Sequence, residues 1–174
     1  AMLKKVRYSA NVSGADGAKL SPFKYVEKAD TPKRKSTFEM TYKGGKPVSV
    51  KQDPPKKPRD YDVDMAAQGG TLDPLSALYA VLRDVDRDQA CKFSANLYDG
   101  ARRTQVKLAA PKAQGDKVTC SGEYRRVGGF SPKDMAEKTT MAFTLTYGPT
   151  KDGRLRVEEI ATDTIYGKGV LKRR

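Results

Sequence analysis

Hydrophobic and polar side chains alternate with a period of two along most of this chain. The clearest case is residues 141–147, where Met, Phe, Leu and Tyr occupy every second position. After the sequence GPTKDG, Leu155 and Val157 continue the alternation. Alternate residues of a strand point to the same face of a sheet, and Gly-Pro and Asp-Gly dipeptides favour turns. The segment therefore predicts a β-hairpin.

The same pattern recurs along the chain, without a fixed repeat length that would indicate a solenoid. Segments rich in alternating apolar residues precede and follow short Gly-containing turns, which is typical of successive hairpins. These segments are residues 6–12, 38–42, 48–50, 93–97, 106–108 and 118–124. The sequence therefore predicts a mainly antiparallel β protein, and we expect one β-rich domain over residues 1–174.

One segment has helical periodicity instead. Asp73 is a good N-cap and Pro74 suits the first helical position. The apolar residues then recur at helical spacing and form a single stripe, which we expect to lie against the sheet. The residues of this stripe are Leu75, Leu78, Tyr79 and Leu82. A second, weaker helical turn is predicted for residues 133–137, and the proline-rich residues 53–58 are predicted to form a loop.

The chain is strongly basic, with 34 Lys and Arg against 21 Asp and Glu and a formal net charge of +13. This excess favours anionic partners. The charge is nevertheless spread over the whole sequence, with its densest runs at residues 33–35, 56–59 and 172–174. Both a solvated basic surface and a bound polyanion are consistent with this distribution.

The composition argues against most enzyme classes. The sequence contains no histidine, which excludes Ser-His-Asp and Cys-His catalysis and zinc sites that need histidine. Residues 84–88 begin like a calcium-binding loop, but Gln89 stands where that loop needs glycine. We therefore expect a protein that is not an enzyme and has neither a cofactor nor a bound metal.

The two cysteines, Cys91 and Cys120, share strand parity with apolar neighbours, so both are expected to point toward an apolar face. Paired, they would close a loop of about 30 residues and stabilise the fold by roughly 3–4 kcal/mol. Two free, buried thiols are the alternative, which would be usual in a cytosolic protein.

Several stretches together resemble a bacterial envelope family that is catalogued as domain-of-unknown-function family 3108. They are GTLDPLSAL from Gly70, YDGARR from Tyr98, CSGEY from Cys120 and GGF from Gly128, together with Cys91. The resemblance implies export to the periplasm and a Cys91–Cys120 disulfide. It also implies a single curved antiparallel sheet, open or a half barrel, packed around one short α-helix, similar to lipoprotein-carrier proteins.

Localisation follows the same expectation. The first two residues, Ala1-Met2, look like the remainder of a cloning site, so we expect an export signal that was removed from the natural N-terminus. No stretch of apolar residues is long enough to span a membrane, although peripheral contact with one is compatible with the charge.

Two functional hypotheses follow. The first is a non-enzymatic periplasmic envelope protein that binds a lipid, an acyl chain or a partner protein on a concave apolar sheet face, with the stripe of Leu75, Leu78, Tyr79 and Leu82 lining the groove. The second is a polyanion-binding module for nucleic acid or acidic glycan. Nucleic acid is disfavoured because no RNP or helix-turn-helix motif is present. The candidate anion contacts are Arg102, Arg103, Arg125 and Arg126.

Overall fold

The structure is a computed structural model that describes residues 6–17, 19–164 and 167–173. This part of the chain is mainly β, as the alternation predicts, with ten strands and two short helices. The strands are β1 (Arg7–Asp16), β2 (Leu20–Thr31), β3 (Arg34–Lys43), β4 (Lys46–Asp53), β5 (Ser94–Tyr98), β6 (Arg103–Gln114), β7 (Lys117–Gly128), β8 (Thr140–Pro149), β9 (Leu155–Thr164) and β10 (Gly167–Lys172). The helices are α1 (Pro74–Leu82) and α2 (Pro132–Glu137).

The strands form two open antiparallel sheets. One has the order β1-β2-β3-β4, and the other has the order β10-β9-β8-β7-β6-β5. An open, mainly β architecture is therefore confirmed, but the single sheet implied by the family resemblance is divided into two. The division falls between β4 and β5, where residues 54–93 hold a loop, α1 and two 3-10 turns instead of a hairpin.

The hairpin predicted from residues 141–159 is confirmed by β8 and β9. Leu145 lies opposite Ile160, and Tyr147 lies opposite Val157. Leu145, Tyr147, Leu155 and Val157 are all buried, so the alternation reports which face of the sheet meets the core.

Helix α1 begins where the sequence predicts. The Oδ1 atom of Asp73 accepts hydrogen bonds from the backbone N–H groups of Leu75 (3.0 Å) and Ser76 (2.9 Å). The Ser76 hydroxyl donates to the other carboxylate oxygen of Asp73 at 2.5 Å. Asp73 is fully buried, so its carboxylate satisfies N–H groups that water cannot reach.

The predicted packing face of α1 is wrong. Ala77, Ala80 and Val81 are buried, whereas Leu78 and Tyr79 are 49% and 48% exposed. The prediction assumed that α1 packs against a single sheet, but α1 contacts β1 and β2 of one sheet and β5 of the other. Small alanine side chains suit such a position because they let the helix approach its neighbours closely.

Two hydrophobic cores lie on either side of this contact. The tyrosine core consists of Tyr25, Met40, Tyr42 and Tyr98, and Leu75 packs against it. The disulfide core consists of Val81, Ala90, Cys91, Leu108, Cys120, Leu145, Tyr147, Leu155 and Val157, and Leu82 packs against it. Helix α1 thus contributes apolar residues to both cores.

The disulfide between Cys91 and Cys120 is confirmed. It joins the segment before β5 to the middle of β7, and both residues are buried in the disulfide core. The bond spans 29 residues of sequence, and it is compatible with an oxidising compartment.

The second helical turn is confirmed as α2, which Ser131 caps by accepting a hydrogen bond from the N–H of Asp134. Among the described residues, no helix combines the length and the hydropathy that a membrane span requires.

Candidate functional site

A groove of about 820 Å³ opens where the four-stranded sheet extends beyond the tyrosine core. Its floor is a set of side chains from β1 to β4, and its walls are residues 55–58 and the turn of residues 99–102 between β5 and β6. We call this depression the basic groove. Its floor residues are Tyr8, Glu27, Arg34, Ser36, Phe38 and Gln52.

The register of the strands explains why polar residues line this floor. Tyr25 lies opposite Met40 inside the tyrosine core. Two residues farther along each strand, Glu27 lies opposite Phe38, and Phe38 lies opposite Gln52. These residues share the inner face of the sheet, because a period of two returns the chain to the same face. The inner face therefore changes from apolar to polar where the core ends.

Tyr8 completes the floor on the edge strand β1. It lies opposite Ala29, which in turn lies opposite Ser36 of β3. The Tyr8 side chain is 58% exposed and lines the groove, so its ring is accessible to a ligand.

The turn that forms one wall is held by Asp99. Its carboxylate accepts hydrogen bonds from the N–H groups of Ala101 (3.1 Å) and Arg102 (2.8 Å) and from Arg102 Nε (2.7 Å). A Cβ atom on Gly100 would lie 2.6 Å from the ring of Phe38, so the turn rests directly on the groove floor. The turn belongs to the six-stranded sheet and the floor to the other sheet.

The GGF motif of residues 128–130 contacts the same turn. Gly129, with a φ of 83°, lies so close that an added Cβ would be 2.3 Å from the carbonyl oxygen of Ala101. The guanidinium groups of Arg102 and Arg126 lie over the ring of Phe130, at 5.5 Å and 5.2 Å from its centroid. The YDGARR and GGF motifs are therefore one structural unit at the wall of the groove.

Each carboxylate that lines the groove is bound by an arginine. The pairs are Glu27 with Arg34 (3.3 Å), Asp62 with Arg59 (2.6 Å) and Asp99 with Arg102 (2.7 Å). Burial alone would raise the pKa of Asp62, but hydrogen bonds from the side chain and backbone of Arg59 lower it. Glu27 also accepts a hydrogen bond from the Tyr25 hydroxyl at 2.9 Å.

Two lysines in the groove have no such partner. Lys56 and Lys57 are exposed and line it. Within the described part of the chain, no carboxylate lies within 4.0 Å of their ammonium groups. Lys51 borders the groove with its backbone, but it lies opposite Glu39, so its side chain points to the other face of the sheet. Without Lys51, four basic and three acidic residues line the groove, a net charge of +1.

Of the four predicted anion contacts, Arg102 lies in this groove. Arg103 points to Gln68, with 3.4 Å between Nη1 and Oε1, and Arg125 pairs with Glu123 at 2.9 Å. Arg126 donates to the carbonyl oxygens of Asp134 (2.5 Å) and Lys138 (2.9 Å) at the end of α2. Arg103 and Arg126 therefore bind neighbouring segments, and Arg125 pairs within its own strand, so of these four only Arg102 lines the groove.

The four residues predicted to line an apolar groove are not brought together. Leu75 and Leu82 pack against different cores, and Leu78 is half exposed. Tyr79 lines a second depression of about 630 Å³, where its hydroxyl donates to Asp16 at 2.7 Å. Beside α1 there is a depression of about 240 Å³, which Tyr79 and Ser76 line together with residues of β1 and β2.

Charges in this second depression largely neutralise one another. Asp16 also accepts a hydrogen bond from Arg83 at 2.9 Å, and Asp84 is bound by Arg156. Asp84 opens the calcium-like segment, and the described residues contain no group of acidic, Cys or His side chains arranged to hold a metal ion. The unpaired positive charge makes the basic groove the better candidate site.

Only part of this groove is visible in the sequence. Residues 33–35 and 56–59 stand out as basic runs, and they supply Arg34, Lys56 and Lys57. Nothing in the local pattern shows that they meet Tyr8 and Gln52 across two hairpins, because that proximity depends on strand order.

Comparison with known proteins gives one match. A family model described as a protein of unknown function (DUF3108) matches residues 1–162. No curated protein and no solved structure matches the chain.

Proposed function

Because this chain belongs to the DUF3108 family of proteins of unknown function, we propose a function from the basic groove itself. The protein is a non-enzymatic binding protein of the periplasmic envelope, and it holds an extended polyanion in this groove.

The observation that carries the proposal is that two adjacent lysines without a carboxylate partner, Lys56 and Lys57, line one groove. A polyanion gains affinity when such side chains replace its counterions. The overall net charge of +13 adds long-range attraction for the same class of ligand.

The pairing of the acidic residues supports a binding role without catalysis. A general acid or base needs a pKa near the working pH. Asp62 has a lowered pKa because Arg59 stabilises its charged form against the effect of burial. Glu27 and Asp99 form ion pairs with Arg34 and Arg102, and the sequence contains no histidine.

Two features support the periplasm. The Cys91–Cys120 disulfide is compatible with an oxidising compartment, where such bonds persist. The family resemblance described above implies export as well.

An acyl-chain carrier has less support, because the depression between α1 and the β1–β2 hairpin holds only about 240 Å³, less than the roughly 300–1,000 Å³ of typical ligand pockets. Ala77, Ala80 and Val81 of α1 are buried, and the basic groove is open and rimmed by charge.

The proposal is tested by charge reversal of Lys56 and Lys57 to Glu in one variant. Binding of fluorescein-labelled galacturonate hexamer and of labelled linear polyphosphate is measured by anisotropy between low and physiological salt. We expect the variant to lose at least about tenfold in affinity for the probes that bind, and its log–log salt slope to fall by roughly two.

A matched control reverses two exposed lysines outside the groove, Lys112 and Lys133. Both variants lower the formal charge by four, from +13 to +9. Equal losses in the two variants would show that bulk charge binds the probes and would contradict the groove. Absence of binding to any polyanion, together with salt-independent binding of a fluorescent fatty acid, would favour the carrier hypothesis instead.

A further inference from the structure

We infer that the basic groove is built for an acidic glycan, a hydroxyl-rich and sparsely charged chain. This inference deepens the proposed function and rests on it. It is carried by the groove floor, whose chemistry differs from that of the lysine rim.

The floor offers hydrogen-bond acceptors as well as donors. Glu27 presents a carboxylate, Gln52 presents both an amide oxygen and an amide nitrogen, and Ser36 presents a hydroxyl. Asp62 and Asp99 in the walls already accept hydrogen bonds from Arg59 and from the turn of residues 99–102. A phosphate chain at neutral pH is almost entirely an acceptor, so it cannot donate to the oxygens of the floor. Sugar hydroxyls donate as well as accept, and they match such a surface.

The floor also offers an accessible aromatic ring. Tyr8 lines the groove with 58% of its side chain exposed, and its hydroxyl lies beside Glu27 and Arg34. An aromatic ring with a polar tip provides an apolar face and a hydrogen-bonding edge together. A sugar ring has the same division, with C–H groups on its faces and hydroxyls on its edge.

The fixed geometry of the floor favours recognition of a regular ligand. Glu27 is held between the hydroxyl of Tyr25 (2.9 Å) and the guanidinium of Arg34 (3.3 Å). Planar groups that are already oriented lose little freedom on binding, which increases the affinity for a ligand whose hydroxyls fit them. The unpaired Lys56 and Lys57 then supply partners for the sparse carboxylates of the glycan.

One experiment distinguishes binding to the floor of the groove from binding to its lysines. Tyr8→Ala and Gln52→Ala are each assayed for binding of galacturonate hexamer and linear polyphosphate, with folding checked by circular dichroism. We expect each variant to lose at least about fivefold in affinity for the galacturonate hexamer and less than twofold for polyphosphate, because only the sugar uses the floor.

Two conservative variants test the mechanism. Tyr8→Phe keeps the ring, so it should retain most of the affinity for galacturonate that Tyr8→Ala loses. Glu27→Gln removes a negative charge but keeps hydrogen-bonding capacity, so it should raise the affinity for polyphosphate and leave galacturonate without a comparable gain.

Several results would overturn the glycan assignment while the proposed function stands. These are tighter binding of polyphosphate than of galacturonate by the unaltered protein, equal losses of both ligands in Tyr8→Ala, or tighter binding of a thymidine hexanucleotide that Tyr8→Ala abolishes. Equal affinity for a neutral cellohexaose would contradict the acidic part of the assignment. If no polyanion binds, the proposed function itself is wrong.

Discussion

Gly129 and Gly153 have the same backbone conformation in different surroundings. Both have a φ of 83°, a conformation that residues with a Cβ adopt at a cost. Gly153 has no atom within 4 Å of its would-be Cβ, whereas at Gly129 the backbone of Ala101 and Arg102 lies within 2.6 Å. The pair separates backbone strain from steric contact at the wall of the basic groove.

We expect Gly153→Ala to lower the free energy of unfolding by about 1–2 kcal/mol, from backbone strain alone. Gly129→Ala should lower it by about 3 kcal/mol or more, because the added methyl also displaces the turn of residues 99–102. Urea denaturation followed by circular dichroism measures both. Equal losses in the two variants would show that the close contact at Gly129 has no energetic effect.

At the scale of an element, the start of α1 depends on one buried carboxylate. Asp73 accepts from two backbone N–H groups and one hydroxyl, and it is fully shielded from water. The cap of α2, Ser131, accepts from the N–H of Asp134 in a partly buried site. The two caps have the same role but differ in their access to solvent.

We expect Asp73→Ala to lower the free energy of unfolding by about 2–4 kcal/mol, because it leaves buried N–H groups without a partner. Ser131→Ala should lower it by about 1 kcal/mol, since water can replace part of the lost bond. Chemical denaturation of both variants provides the comparison. A smaller loss for Asp73→Ala than for Ser131→Ala would contradict the role of burial.

The same helix shows how far sequence reasoning reaches. Asp73 and Pro74 mark the start of α1 because capping is local chemistry that four consecutive residues decide. The packing face was wrong because Leu78 and Tyr79 look apolar in a helical pattern whatever surrounds the helix. A helix between two sheets contacts both through Ala77 and Ala80, and no local pattern reports a second sheet.

The hairpins were predictable for the same reason as the start of α1: both are decided by residues that are close in sequence. The alternation through Leu145 and Tyr147 fixes a face, and the turn after β8 fixes the partner strand. The basic groove was not predictable, because Tyr8, Gln52 and Lys57 come together only through the order of strands in one sheet and the position of the other. Its chemistry was visible in the sequence, but the proximity of its residues was not.

Across the whole molecule, the Cys91–Cys120 bond stabilises one of the two cores directly. Its 29-residue span implies a contribution of about 3–4 kcal/mol from restriction of the unfolded chain. We expect reduction to lower the free energy of unfolding by this amount, measured by urea denaturation with and without a phosphine reductant. A double Cys→Ala variant should show no response to the reductant. An unchanged midpoint for the reduced protein would contradict the prediction.

Buried tyrosines set the alkaline limit of stability. Burial, together with nearby acidic groups, raises the pKa of Tyr98 to about 12, and burial is also the main cause that raises the pKa of Tyr25 and Tyr42. In the unfolded chain a tyrosine loses its proton near pH 10, about two units earlier than Tyr98 does in the fold. This contribution to stability is fully present below pH 10 and is lost as the pH rises toward 12.

We expect the free energy of unfolding to fall above pH 10, with a slope of up to about 1.4 kcal/mol per pH unit for each buried tyrosine. Tyr98→Phe should make the decline shallower, whereas Tyr61→Phe, at an exposed position, should not. Urea denaturation at a series of pH values from 9 to 11.5 measures the slopes. Parallel curves for Tyr98→Phe and the unaltered protein would contradict the assignment.

The floor and one wall of the basic groove belong to different sheets. The floor comes from the four-stranded sheet, the turn of residues 99–102 comes from the six-stranded sheet, and α1 is packed between the two. A ligand that contacts both surfaces stabilises the arrangement of the two sheets around α1. By thermodynamic linkage, a change that makes this arrangement more rigid also raises the affinity for the ligand. Amide protons of α1, which the ligand need not contact, should then exchange more slowly in the complex. Substitutions that weaken the packing of α1 between the sheets should lower the affinity for the ligand although they lie outside the groove.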